Sequence, residues 1–268
     1  MTLLNMRIDA KPPSRIISGE ERNITSAPFA VMIHDASALH SYEGLICGGS
    51  IISKRYILTA AHCLGQPTSD DKDEYDYKWL RVIAGESSYE CGVQIHEIIN
   101  AFMHPGFTGT ATDPLTNRAD LAVLKLKDRL TYGPTQARIQ LAQQPPPTGV
   151  DGAIYGWGFI DHEETVYGRT LRSSAQIVFD FNMCQVLDRD FGSVPDELCI
   201  LGSPGTSFCH GDSGGPLVVG GKIAGVISNG LPCGSPEPAA VVNVAYYRTW
   251  ITDAVRGTAE YKSLPFTV

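Results

Sequence analysis

The 268-residue chain contains no apolar run approaching the roughly 18 residues that a membrane-spanning helix needs, so no such helix is expected. It also has no basic excess. Its 21 lysines and arginines face 29 aspartates and glutamates, a formal charge of −8, which argues against general affinity for nucleic acid or anionic lipid. Charged residues make up only 19% of the sequence and apolar residues 43%, which excludes a disordered polyelectrolyte and suffices for one or two substantial cores. No internal repeat is evident, and Gln143-Gln144-Pro145-Pro146-Pro147 is the only tract of biased composition. The seven cysteines, at 47, 63, 91, 184, 199, 209 and 233, lack the short Cys-x-x-Cys spacing of a zinc site. They read instead as a disulfide framework formed in an oxidising compartment, hence a secreted protein. The acidic cluster Asp70, Asp71, Asp73, Glu74 and Asp76 has no EF-hand glycine or ligand pattern, and reads as a solvated loop. Residues 1–15 are not an intact secretory signal, because Arg7, Asp9 and Lys11 interrupt a very short apolar stretch.

What is present is a succession of short Val-, Ile- and Leu-rich runs punctuated by Gly, Pro, Asn and Asp. They include 29–34, 56–59, 80–84, 121–126, 175–179, 217–219, 222–228 and 239–244. Runs of this length with frequent turns predict an all-β chain built as sandwiches or closed barrels. The Pro145–Pro147 stretch cannot donate ladder hydrogen bonds and marks the connector between two units. One exception to the β pattern lies near the end. Tyr247, Trp250, Ile251, Ala254 and Val255 recur at helical spacing before Gly257, which predicts a single C-terminal helix over about 246–256. Asn23-Ile24-Thr25 is a possible glycosylation acceptor, in keeping with secretion.

Chemistry concentrates in Cys209-His210-Gly211-Asp212-Ser213-Gly214-Gly215-Pro216. One serine among glycines has backbone N–H groups that can approach a reacting carbonyl, but a hydroxyl alone is a weak nucleophile and needs a base. Leu58-Thr59-Ala60-Ala61-His62-Cys63 supplies a histidine at the end of an apolar run. Asp120 immediately precedes the strongly apolar run 121–126, where a carboxylate is costly unless it is hydrogen-bonded, and an imidazole is a suitable partner.

The order His62, Asp120, Ser213, within Ala-Ala-His-Cys, Asp-Leu-Ala-Val-Leu-Lys-Leu and Gly-Asp-Ser-Gly-Gly-Pro and together with Tyr155-Gly156-Trp157-Gly158, resembles the trypsin/chymotrypsin family of serine endopeptidases over about residues 15–257. The resemblance implies two packed six-stranded antiparallel β-barrels with a C-terminal helix. The first barrel would span about 29–135, the connector 136–150, the second barrel 151–245, and a C-terminal tail 258–268. It implies Ser213 as nucleophile, His62 as general base and acid, Asp120 as the group that orients the imidazole, and an oxyanion hole from the N–H groups of Gly211 and Ser213. Ser228 matches the serine that supports the buried aspartate. Implied disulfides are Cys47–Cys63, Cys184–Cys199 and Cys209–Cys233, which leaves Cys91 as an unpaired thiol or an intermolecular bridge.

Ser14-Arg15-Ile16-Ile17-Ser18-Gly19 resembles the family's activation junction. Residues 1–15 would then be a propeptide, and cleavage after Arg15 by an arginine-specific protease would free the Ile16 ammonium to pair with Asp212. The substrate-pocket base falls on Ser207, which carries no charge, so recognition of a basic side chain is not expected. Gly230 and Ala239 fall on the pocket wall and His210 on the cleft rim. Phe208, where a small residue is common, either narrows the pocket or points into the core. A small apolar residue in the substrate is therefore expected on the acyl side of the cut bond. Protein or peptide substrates and protein inhibitors are the partners implied, with no cofactor; the segment 86–97, where the family's calcium loop would lie, is shortened, so no required metal is expected. The alternative, a non-catalytic binding protein on the same fold, would ordinarily lack one of the three site residues, and none is missing.

Overall fold

The structure is a computed structural model that describes residues 19–38, 42–64, 79–89, 94–107, 119–161, 163, 165–180, 182, 196–203, 206–228, 233 and 237–263. Arg15, Ile16, the acidic 70–76 cluster, Cys91, Cys184 and Gly230 lie outside these residues. Six strands make the first barrel: β2 (Ala30–Asp35), β3 (Leu45–Ile51), β4 (Tyr56–Thr59), β5 (Leu80–Ala84), β6 (Ile95–Met103) and β7 (Ala122–Leu126). They run in the order β6-β5-β2-β3-β4-β7, and pairing of β6 with β7 closes the ring. Closure leaves no free edge, so every strand finds backbone partners on both sides.

The second barrel is built the same way from β9 (Asp151–Gly156), β10 (Arg172–Phe179), β11 (Glu197–Gly202), β12 (Pro216–Val219), β13 (Lys222–Ile227) and β14 (Ala239–Asn243). Its order is β10-β11-β14-β13-β12-β9, and antiparallel pairing of β10 with β9 closes it. Three short strands decorate the barrels. β1 (Glu20–Glu21) pairs with β10, β8 (Gln140–Leu141) pairs parallel with β13, and β15 (Lys262–Ser263) pairs with β6 at Met103 and Phe102. The segment between the barrels therefore joins the second sheet through β8, and the chain beyond the helix returns to the first.

Inward-facing apolar residues explain this arrangement. Val31, Ile33, Ile57, Val82, Ala101 and Leu124 are fully buried in a cluster that continues across the seam to Ile223, Val226, Val242 and Val244 of the second barrel. A second core of Ile154, Leu198, Ile200, Leu217 and Val241 fills the other barrel. The helix α1 (Arg248–Arg256) buries Ile251 and Ala254, one turn apart, in the shared cluster. It ends at Gly257, whose φ of 76° lets its N–H turn back to the Ala254 carbonyl. Among the described residues no helix is long and apolar enough to cross a membrane.

Candidate active site

The Leu58–Cys63 stretch places His62 by two constraints. β4 ends at Thr59, the chain turns into a short 3₁₀ segment at Ala61–Leu64, and Cys63 is tied by a disulfide to Cys47 on β3. Asp120 approaches from the start of β7 and is completely buried. The residue before it, Ala119, has φ +53°, a left-handed conformation that an alanine adopts at a cost of about 1 kcal/mol or more. That turn aims the Asp120 carboxylate back toward His62.

A buried carboxylate must be compensated, and Asp120 has three donors. The His62 backbone N–H gives to its Oδ1 at 2.9 Å, and His62 Nδ1 stands 2.6 Å from Oδ2. The Ser228 hydroxyl, at the end of β13 in the second barrel, also gives to Oδ2, at 2.5 Å. Burial alone pushes the Asp120 carboxyl up, but the adjacent His62 and these hydrogen bonds hold it below the usual range. Burial likewise pulls the His62 imidazole down, and the Asp120 charge and hydrogen bond outweigh it, leaving the imidazole above its ordinary value of 6.5. The pair is thus arranged to stabilise an imidazolium. His62 Nε2 faces the Cys63 sulfur at 3.9 Å, and that sulfur is already committed to its disulfide.

Ser213 comes from the second barrel on a tight turn before β12. Its carbonyl accepts the Gly48 N–H of β3 at 2.7 Å, a hydrogen bond across the seam that brings the serine to the first barrel. Flanking bonds fix the turn further: Asp212 N–H to the Cys209 carbonyl at 3.0 Å, and Gly214 N–H to the Ile227 carbonyl at 2.7 Å. No hydrogen bond joins the Ser213 hydroxyl to His62 in this structure; such bonds commonly form only when substrate is bound. Gly211 has φ +92°, a left-handed conformation that a side chain resists. Neither the Gly211 nor the Ser213 N–H has an acceptor among the described residues, so two donors remain available beside the serine hydroxyl.

Asp212 is buried, at 1% exposure. Its Oδ1 accepts the Gly158 N–H at 2.8 Å and its Oδ2 the Cys209 N–H at 3.0 Å. Burial pushes this carboxyl up to about 6, against the pull of those two donors. No cationic group among the described residues accompanies it. The role of Gly158 was not evident from the sequence alone, although Gly156-Trp157-Gly158 stood out as a motif. A Cβ at Gly158 would lie 2.7 Å from Asp212 Oδ2 and 2.6 Å from the His210 carbonyl, so the close approach of backbone to carboxylate requires glycine.

The remaining expected residues distribute unevenly. Cys209 and Cys233 are joined, and Cys199 is disulfide-bonded as well. Ser207 is half-buried two residues before Cys209, His210 is exposed next to Gly211, and Ala239 opens β14 opposite Ile200. Of the two placements expected for Phe208 the structure shows a buried ring, with Ala239 packed against the same cluster. Phe208 is 6% exposed and belongs to the second-barrel core with Ile154, Leu217 and Val241, where a large apolar ring gains more than at a wet rim. The His/Cys/Asp/Glu group among the described residues with converging ligand atoms is Cys47, His62 and Cys63, and its two sulfurs are bonded to each other.

These features agree with what similarity to known proteins shows. Residues 16–251 match the Trypsin family. Hypodermin-B of Hypoderma lineatum is 34% identical over 242 residues, covering 89% of this chain and 87% of that protein. Trypsin epsilon of Drosophila erecta is 28% identical over 245 residues, covering 90% and 88% respectively. Among solved structures, neuropsin, a serine protease expressed in the limbic system of mouse brain, superposes with a TM-score of 0.75 at 28% identity, covering 88% of this chain and 98% of its own. With its two closed barrels and a His–Asp pair and serine meeting at their seam, the chain belongs to the trypsin family of serine endopeptidases.

Proposed function

We propose that the protein is a secreted precursor of a serine endopeptidase that acts through Ser213, His62 and Asp120 once the bond after Arg15 is cut. The observation that carries the catalytic assignment is the 2.6 Å contact between His62 Nδ1 and the buried Asp120. With Nδ1–H held there, Nε2 is left as the basic atom. Ser213 Oγ attacks the scissile carbonyl while His62 Nε2 takes its proton, and the tetrahedral oxyanion is held by the N–H groups of Gly211 and Ser213. His62 then gives its proton to the departing amine, which leaves an acyl ester on Ser213. Water, deprotonated by the same nitrogen, hydrolyses that ester and restores the serine. Such roles are those of the family's established triad, transferred residue by residue to this chain.

The test is active-site labelling. After cleavage at Arg15, the full chain should react stoichiometrically with a fluorophosphonate, and Ser213→Ala should not. A folded, cleaved wild type that fails to label would overturn the assignment and favour a binding protein on this fold.

Specificity rests on Ser207. A Lys or Arg head group bound over it would be desolvated without a carboxylate partner, at a cost of several kcal/mol. Ala239 and Gly230 are the wall residues that the resemblance implies, and with no charge at Ser207 we expect apolar side chains to be preferred. Profiling of the activated enzyme on peptides that differ only in Phe, Leu, Ala or Arg before the cut bond should favour the apolar members at least tenfold over Arg. Dominant Arg cleavage would refute the pocket assignment, and with it the need for a separate activating protease. The disulfides Cys47–Cys63 and Cys209–Cys233 support an extracellular setting. Asn23 is exposed and available to carry a glycan, its Oδ1 accepting the Thr25 N–H at 3.0 Å.

A further inference from the structure

We infer that the first barrel carries a binding site for a sulfate or phosphate ester, built from Lys54, Arg55, Arg129, Tyr132 and Arg138 and separate from the cleft that holds Ser213. These residues line a cavity of about 400 Å³. In a chain of net charge −8, four cationic side chains converge there and no carboxylate lines the cavity. Among the described residues none of the four has a carboxylate within ion-pair distance; the ion pairs of this face go elsewhere, as in Lys127 with Glu97. Asp128 is adjacent in sequence to Arg129, but its field acts on His96 and Lys127.

Two of the lining residues also hold a buried donor without a partner. Arg55 Nε and the Tyr132 hydroxyl are both buried and have no hydrogen-bond partner. Both atoms are closed to solvent, so an occupant reaches them only if these side chains turn outward, and the site rests on the four converging charges. The backbone beneath two of these charges is held in place. The Arg55 carbonyl accepts the Leu126 N–H at 2.8 Å and the Lys54 carbonyl accepts the Leu130 N–H at 2.7 Å, which pins the β3–β4 turn to the chain leaving β7. Lys54 Nζ lies 5.2 Å from the centre of the Tyr132 ring, and the charges of Arg129 and Arg138 act on the Tyr132 hydroxyl.

Guanidinium groups approaching from separate segments, with an ammonium and a phenol, suit an acceptor that offers oxygens in several directions. A tetrahedral sulfate or phosphate does so, whereas a planar carboxylate offers two oxygens in one plane. The volume exceeds that of a bare ion and leaves room for the sugar or polyol that bears it. β4 starts at Tyr56 beside the cavity and leads away to Thr59 and the His62 turn, so an occupant would leave the substrate cleft free.

The experiment uses the uncut full-length chain and reads binding, so its outcome is independent of the catalytic assignment. Sucrose octasulfate and inositol hexakisphosphate are titrated by calorimetry and by thermal unfolding, against sodium chloride at matched ionic strength. We expect saturable binding and, at a hundredfold excess over the dissociation constant, a midpoint raised by roughly 5 °C over the chloride control. The stronger of the two ligands identifies the sulfate or the phosphate as the source. Arg129→Gln with Arg138→Gln, both exposed positions, should weaken binding at least tenfold while leaving the unliganded midpoint in place. Lys54→Gln, from the opposite wall, should weaken it severalfold and serves where the double variant loses stability. Shifts no larger than those of chloride, or variants that bind as tightly as the wild type, would overturn the site.

Discussion

Asp120→Asn should lower kcat of the activated enzyme by about 10⁴, the scale known for this change in the family's triad rather than one obtained from the present distances. The physical reason is local. Asp120 Oδ2 fixes the proton on His62 Nδ1, and an amide of the same shape offers an N–H toward that nitrogen, so the imidazole is held in the tautomer that cannot take the Ser213 proton. A second signature separates this from simple damage. His62 must be neutral to act as a base, so activity rises with pH through its titration. Burial lowers that titration and the Asp120 charge and hydrogen bond raise it above 6.5; removing the charge leaves burial unopposed. The acid limb of kcat/KM should therefore move to lower pH in the variant. A kcat loss without that displacement, measured from about pH 5 to 9, would place the role of Asp120 outside the electrostatics of the pair.

Ser228→Ala offers a graded comparison, because it removes one of three donors to Asp120 and leaves the carboxylate in place. The Asp120 carboxyl would then sit higher, and the effect on rate should be small beside that of Asp120→Asn.

Much of this site was legible because each of its residues carries a local signature. Ser213 sits among glycines, His62 ends an apolar strand beside a cysteine, and Asp120 precedes one. The strands at 56–59 and 80–84 were read with the bounds they have, since both are apolar runs between breakers. β3 was missed as a run because Gly48 and Gly49 lie in its middle, and β6 because its buried residues begin only at Ile98. Interactions between distant segments leave no such trace. The Gly48 N–H that holds the Ser213 carbonyl, and β15 docking on β6, depend on which elements meet in space. Lys54 and Arg129 are ordinary surface residues in the sequence, and antiparallel pairing of β4 with β7, Tyr56 opposite Lys125, is what makes them neighbours. Phe208 was ambiguous for the same reason, as an apolar ring next to a cysteine suits a pocket or a core equally.

Cleavage after Arg15 should raise kcat/KM by about 10² or more, and Asp212 gives the reason. In the single chain its carboxylate is buried with two backbone donors, and burial pushes it from 3.8 up to about 6. Between those values the folded chain keeps a proton that the unfolded chain has released, so folding stability falls as pH rises across that window, by up to roughly 3 kcal/mol. If the cost falls on the turn that carries Gly211 and Ser213, the competent arrangement is disfavoured about 10²-fold at neutral pH, which sets the expected size of activation. An Ile16 ammonium supplied by cleavage would pair with the carboxylate and remove the cost. Arg15→Gln, which cannot be cut by an arginine-specific protease, should therefore remain about 10²-fold less active than the cleaved enzyme at pH 8. Because His62 titrates in both forms, their activity ratio isolates Asp212, and it should shrink as pH falls below about 6. Asp212→Asn supplies the converse. In the uncut chain it should flatten the pH dependence of stability and raise stability at pH 8 by up to about 2 kcal/mol, after about 1 kcal/mol is lost for the N–H that an amide nitrogen cannot accept. In the cleaved chain it should remove the activation, since the ammonium then has no charge to pair with. An Arg15→Gln precursor as active as the cleaved enzyme, or a ratio independent of pH, would separate Asp212 from the switch.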